Sequence, residues 1–291
     1  MTEAIQKKIK FDYARVGGIK LHYAMAGTGE KLVILLHGFP EFWYAWRHQL
    51  VDLSDEYTVV APDLRGFNLS DKPKQVSDYE IDNLVDDITG LIRYFKRDKA
   101  VVAGHDWGAG VAWAIATKNP EYVEKLVCLQ VPPVPVWKKN QTLKQFFASW
   151  YMFFFQIPRI PEWLLSRNDF EKLVIGLKTS TAEKGVFTDA DIDAYKKAWG
   201  EPDALRCSIN YYRANIIKRM FGSQTQTNKI NVPTLFIYGE KDHAVLPETV
   251  ENVGDFIDSE YKELRIPNSG HWVQIEASDA VTGALREFIA N

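Results

Sequence analysis

The chain has little of what staples small secreted proteins or anchors proteins in membranes. Only two of its 291 residues are cysteine. Cys128 and Cys207 are far apart and lie in mainly apolar surroundings, so buried thiols are expected rather than a disulfide or a metal pair, and a reducing, cytoplasmic compartment fits. The opening residues MTEAIQKKIK carry charge with no apolar stretch behind them, so no secretory signal is expected. No apolar run reaches the roughly 18 residues of a spanning helix. The nearest, Phe146 to Phe155, is too short, and no membrane span is expected. Neither sign of charge dominates, since 35 Lys+Arg against 38 Asp+Glu leave a net −3. Without a basic excess, nucleic acid is not an expected partner. Cofactor motifs are missing as well: Gly104, Gly108 and Gly110 lack the spacing of a dinucleotide turn, and no glycine-rich loop ends in Lys-Ser or Lys-Thr. No His-Glu-X-X-His or paired-cysteine spacing suggests zinc. The chain is expected to work without cofactor or metal.

What is present is the composition of a globular protein with a sizeable core, 46% apolar and 25% charged. The length suits two units or one large α/β domain with an insertion. Leu32 to Leu36 is a continuous apolar run after turn residues, the pattern of a strand buried on both faces. Tyr57 to Val60, Ala100 to Ala103, Val123 to Leu129 and Thr234 to Tyr238 repeat it. Helical spacing separates several of them, at Ile81 to Tyr94 and Gly108 to Lys118, which predicts a mostly parallel sheet covered on both faces. The acidic residues Asp82, Asp86 and Asp87 on the first of these helices read as a solvated face. After Val131 the pattern breaks at Pro132, Pro133 and Pro135 and turns helical and aromatic. We expect a core of residues 1–132 and 223–291 interrupted by a helical insertion over 133–222.

The strongest local signal is Val101 to Gly110, an apolar strand running into Gly104-His105-Asp106-Trp107-Gly108. Glycines two residues either side of an apex suit a tight strand-to-helix turn that exposes a nucleophile. Here the apex is Asp106. A serine attacking an sp³ carbon would give an ether that water does not readily cleave, whereas a carboxylate gives an ester that a second step can open. Displacement at saturated carbon is therefore the favoured chemistry, against the plain alternative of an aspartate capping the next helix. Such a nucleophile needs a base and an orienting acid. His271 sits in a glycine-containing loop after the strand-like run Tyr261 to Ile266. Asp242 lies just past another strand, where α/β sheets gather their functional groups. Glu240 competes with it but reads as a surface turn, and Gln130, after the strand ending at Leu129, offers no second acid. His37 and His105 read as backbone-bonding alternatives, as does His243, and His22 and His48 as surface or packing residues. The backbone N–H groups of Phe39 and Trp107 are expected to form an oxyanion hole.

His37-Gly38-Phe39-Pro40-Glu41-Phe42-Trp43, Asp63-Leu64-Arg65-Gly66-Phe67, Gly104-His105-Asp106-Trp107-Gly108 and Asn210-Tyr211-Tyr212-Arg213 together resemble the motifs of α/β-hydrolase-fold epoxide hydrolases over nearly the whole chain. The resemblance implies an eight-stranded, mostly parallel sheet with a helical cap, a small apolar epoxide and water as partners, and two cap tyrosines that bind and protonate the epoxide oxygen. Tyr212 matches the tyrosine of the Asn-aromatic-Tyr-Arg motif, and Tyr151 looks like the other, with Tyr195 and Tyr211 as competitors. Trp107, Trp150, Phe153 and Phe154 are expected to line the substrate pocket. Haloalkane and haloacid dehalogenases share the aspartate nucleophile. This chain departs from them, with Phe39 after His37-Gly38 and Trp107, not arginine, after Asp106. A non-catalytic ligand receptor on the same fold is the reading from another class. The sequence assigns no oligomeric state.

Overall fold

The structure, a computed structural model, describes residues 8–221 and 229–291. The boundary expected at 222/223 falls outside the described residues, as do the first seven. The buried apolar runs become strands: β1 Lys10–Val16, β2 Ile19–Ala26, β3 Leu32–Leu36, β4 Thr58–Pro62, β5 Ala100–His105, β6 Val123–Leu129, β7 Thr234–Gly239 and β8 Tyr261–Ile266. They form one eight-stranded sheet in the order β1-β2-β4-β3-β5-β6-β7-β8. The β1/β2 and β2/β4 pairs are antiparallel and all the others parallel. Every residue of β3 and β5 is buried, as expected of central strands covered on both faces. Each buried Val, Leu or Ile of these strands contributes roughly 1.5–3 kcal/mol through the water it sheds.

Helices α1 (Arg47–Asp52), α2 (Ile81–Tyr94) and α3 (Trp107–Lys118) connect the first strands. Six more, α4 (Val134–Lys139), α5 (Leu143–Ala148), α6 (Trp150–Phe154), α7 (Ile160–Thr179), α8 (Asp189–Trp199) and α9 (Ala204–Phe221), follow β6 with no strand among them. The short α10 (Val273–Glu276) and α11 (Ser278–Ala290) complete the described chain. α2 buries Leu84, Val85, Ile88, Leu91 and Ile92 on one stripe, which is why its periodicity was readable. Its acidic face needs one correction. Asp82 and Asp86 are exposed, but Asp87 is 2% exposed and takes both forks of Arg65, at 2.5 and 2.6 Å. A bidentate guanidinium is what makes a buried carboxylate tolerable.

Among the described residues no helix is long and apolar enough to cross a membrane. Cys128 and Cys207 are buried free thiols. The parallel strands β3, β5, β7 and β8 all point their carboxyl ends the same way, so the loops carrying His37, Asp106, Asp242 and His271 meet at one edge.

Candidate active site

Asp106 occupies the turn between β5 and α3 at φ 50°, ψ −116°, a strained conformation held by close packing on both sides. A Cβ on Gly104 would lie 2.2 Å from the Gly108 carbonyl oxygen, and one on Gly108 would lie 2.2 Å from that of Leu36. The two glycines therefore let the turn press onto β3. The Asp106 carboxylate does not cap α3. It accepts instead from the Phe39 N–H at 2.8 Å and from the Trp107 N–H, the donors expected to form the oxyanion hole. Burial pushes its pKa up, opposed by the nearby His271 and His105 and by these two donors.

His271 Nε2 lies 3.9 Å from Asp106 Oδ2, and its Nδ1 is 2.7 Å from Asp242 Oδ2. Burial works against the imidazolium, but the Asp242 carboxylate, helped by Asp106 and Glu41, outweighs it and pushes the pKa up to about 9. Asp242 is 1% exposed and well satisfied: Oδ1 accepts from the N–H groups of Ala244 and Val245, and Oδ2 also accepts from Gln130 Nε2. The three groups picked from sequence are thus brought together in one chain of contacts. Glu240 is exposed, as is His243. His37 donates from Nδ1 to the Gly38 carbonyl and accepts from the Leu64 N–H at Nε2, so neither nitrogen is free. His22 is buried against Asp63, 2.6 Å away, a packing role and not a surface one.

A cavity of about 260 Å³ opens beside Asp106, walled by Trp107, Val131, Trp137, Met152, Phe153 and Val245 among others. Tyr151 of α6 and Tyr212 of α9 also line it, their rings 5.9 Å apart. Tyr212 packs edge-on against Trp107 and Phe39 at 5.1 and 5.4 Å. Burial, and then the charge of Asp106, raise both phenol pKa values, so both hydroxyls remain proton donors. Tyr211 spends its hydroxyl on the Arg65 carbonyl, and Tyr195 is fully buried among Phe42, Phe187 and Trp199; both are packing residues. Two expected wall residues lie elsewhere. Trp150 is 62% exposed, and Phe154 is half-buried away from the cavity wall, its ring tilted against those of Trp150 and Phe155 at 5.8 and 6.1 Å.

Residues 31–278 match the family model described as alpha/beta hydrolase fold. The chain belongs to the α/β-hydrolase-fold family. It is 39% identical over 289 residues to an AB hydrolase superfamily protein, YfhM, of Bacillus subtilis, covering 97% of this chain and 99% of that one. It is also 39% identical over 263 residues to Epoxide hydrolase 3 of Mus musculus, covering 88% of this chain and 70% of the relative. Among solved structures it superposes on a Bacillus megaterium epoxide hydrolase in complex with an inhibitor with a TM-score of 0.87 at 32% identity, covering 96% of this chain and all of that one.

Three supports of this α/β-hydrolase site were not singled out from sequence. Gln130, set aside because it is not an acid, donates to Asp242 and to the Gly270 carbonyl and accepts from the Gly239 N–H. One buried amide thereby ties β6, β7 and the His271 loop. Arg213 bonds the carbonyls of Phe155 and Ile157 and pairs with Glu162, so α9 clamps the segment that follows Tyr151. The third support is the buried pair Glu41 and His105. His105 Nδ1 is 2.7 Å from Glu41 and its Nε2 is 2.8 Å from the His271 carbonyl. Glu41 accepts further from the Gly38 N–H and from Gln274. Burial would raise the Glu41 pKa, but His105 and the Gly38 N–H outweigh it and hold it low. His105 faces acceptors on both sides, so its position at the end of a fully buried strand was the available signal. Glu41→Gln removes the charge and leaves His105 facing a neutral amide. It is expected to cost about 1–3 kcal/mol of stability, read as a lower urea midpoint with an unchanged slope.

Proposed function

We propose that the protein is an epoxide hydrolase that adds water to epoxides to give vicinal diols through an ester on Asp106. The observation that carries this reading is the pair of buried phenols, Tyr151 and Tyr212, facing the same cavity as Asp106. A departing alkoxide is strongly basic and needs a proton, whereas a halide does not. Asp106 attacks the less hindered epoxide carbon and that C–O bond breaks. A tyrosine gives its proton to the oxygen and regains one from the His271 imidazolium, leaving His271 neutral. His271 then takes a proton from water, and the new oxygen adds to the ester carbonyl, whose oxyanion is held by the N–H groups of Phe39 and Trp107. Each such donor is worth about 2.7–4 kcal/mol in the transition state. Collapse releases the diol. Of the water's two protons, one leaves on the diol and the other stays on His271, restoring the starting ion pair with Asp106. Asp242 orients the imidazole throughout.

Residues 133–222 form the cap in this reading, over a core of 1–132 and 223–291. The relatives' names support the activity. The two free thiols support a cytoplasmic location. Incubation with styrene oxide and, separately, a bromoalkane tests the reading: diol from the first and no bromide from the second are expected. Bromide alone would make the protein a dehalogenase, and neither product would make it a binding protein. A single turnover in ¹⁸O-water provides a further check, because the incoming oxygen adds to the ester carbonyl and not to the substrate carbon. The label should appear in the Asp106 peptide, and label in the first diol would contradict the ester.

A further inference from the structure

Helix α5, with the Ser149 junction and the first residue of α6, is turned inside out. A surface helix of a water-soluble protein buries its apolar stripe and shows its polar face. Here the buried residues are Gln145, whose amide bonds Ala244, Leu246, Thr249 and Ser149, and Ser149 itself. The outward residues are Leu143, Phe147 and Trp150, which are 79%, 68% and 62% exposed. The spacing of four puts Leu143 and Phe147 on one side of α5, and Trp150 follows at the start of α6. Of the thirteen large apolar side chains exposed among the described residues, seven lie between Leu143 and Trp163. That density exceeds the scattered apolar residues of an ordinary surface.

The charge of the same segment has one sign. Between Glu124 and Glu162 the chain has no acidic residue, while Lys138, Lys139, Lys144 and Arg159 all fall within it and are exposed. Two acidic groups face it from a neighbouring loop, Asp255 at 3.6 Å from Lys139 and Glu248 at 4.0 Å from Lys144, leaving an excess of positive charge. The face is continuous with the mouth of the cavity. Phe146 and Lys138 line the cavity and are themselves exposed, and the Phe146 ring touches those of Phe147 and Phe153 at 5.9 and 5.4 Å.

We propose that this face docks on an anionic lipid surface, with Leu143, Phe147 and Trp150 entering the acyl boundary and the lysines meeting the headgroups, so that the cavity mouth opens toward the membrane. Exposed aromatics flanked by lysine are the chemistry of interfacial binding. A second copy of the chain fits less well, because a two-fold contact through this face would set its lysines against their own copies. Docking goes beyond the hydrolase reading and is measured without any epoxide, so the failure of one is distinct from the failure of the other.

The test is co-sedimentation of the full chain with vesicles of phosphatidylcholine alone and of phosphatidylcholine with one-third phosphatidylglycerol. Binding to the anionic vesicles, weakened by high salt, is expected. Lys139→Glu/Lys144→Glu should lower the partition coefficient at least tenfold, since each lysine near such a surface contributes roughly fivefold. Leu143→Ser/Phe147→Ser should lower it by about tenfold or more. Both double variants should keep the wild-type melting temperature and wild-type turnover of a water-soluble epoxide, because neither touches the cavity. Absence of the wild type from the anionic pellet, or equal binding by the variants, overturns the proposal. So does a concentration-dependent dimer in sedimentation velocity that Leu143→Ser/Phe147→Ser disperses, which would make the face a self-interface.

Discussion

His271→Gln is expected to stall the enzyme within its first turnover, with a covalent adduct on Asp106 whose mass increase equals that of the epoxide. Asp106 is reached by the substrate without the imidazole, and its carboxylate is still held by the Phe39 and Trp107 N–H groups. The first step therefore survives, slowed by the loss of its positive neighbour. The second step loses its base, for which about 10²- to 10⁴-fold is typical. Glutamine keeps volume and hydrogen bonding beside Asp242 but cannot accept a proton from water. Intact-mass spectrometry after mixing reads the result directly. An unmodified protein with unimpaired turnover would remove His271 from the mechanism, and an adduct on any other residue would remove Asp106.

The same geometry gives a pH dependence with a definite sign. In the resting enzyme the His271 pKa stands at about 9, partly through the charge of Asp106. Forming the ester discharges Asp106, so one cause of the elevation disappears and the His271 pKa falls just when a neutral base is required. Ester hydrolysis, followed by stopped-flow after a rapid first step, should rise with pH to a plateau whose midpoint lies below 9. The profile of kcat/KM, which reports the free enzyme, should instead decline as pH passes about 9 and His271 loses the proton it supplies. Coincident midpoints for the two steps would mean that Asp106 does not set the His271 charge.

The central strands and the triad were legible because local and global demands agree there. A strand buried on both faces has to be apolar throughout, as in Leu32–Leu36 and Val123–Leu129, and an elbow has to have glycine at Gly104 and Gly108. The hairpin of β1 and β2 was not placed because β1 is an edge strand with exposed Lys10, Phe11 and Asp12, and an edge strand needs no continuous apolar run. Its one clear mark is the turn Gly17-Gly18, both residues at positive φ. Asp87 and Glu41 were unreadable for a different reason: whether a carboxylate is buried depends on a partner distant in sequence, Arg65 in one case and His105 in the other. Trp150 and Phe154 were misplaced because five of the six residues from Trp150 to Phe155 are aromatic, and composition does not say which faces the cavity. Only the turn of the helix does.

The Tyr151→Phe/Tyr212→Phe double variant should lose far more epoxide turnover than either single variant. The two phenols line one cavity, with each other's rings and Trp107 as neighbours, so either hydroxyl can reach an oxygen placed between them. A single replacement leaves one donor and is expected to cost on the order of 10- to 100-fold, less than most of the roughly 10²- to 10⁴-fold of a full general acid contribution. Replacing both leaves the alkoxide with no donor in an apolar pocket, where an unpaired charge is far more costly than in water. The loss should then far exceed either single effect and approach the whole acid contribution, roughly 10³- to 10⁴-fold. Because phenylalanine preserves the ring packing on Phe39 and Trp107, the melting temperature should change little. The measurement that isolates the role is the leaving group: with an epoxide, initial alkylation of Asp106 collapses, whereas any slow alkylation by an alkyl bromide is unchanged, since bromide departs without a proton. Equal losses for the two reagents would make the tyrosines positioning groups for Asp106, and wild-type rates with epoxides would make them structural.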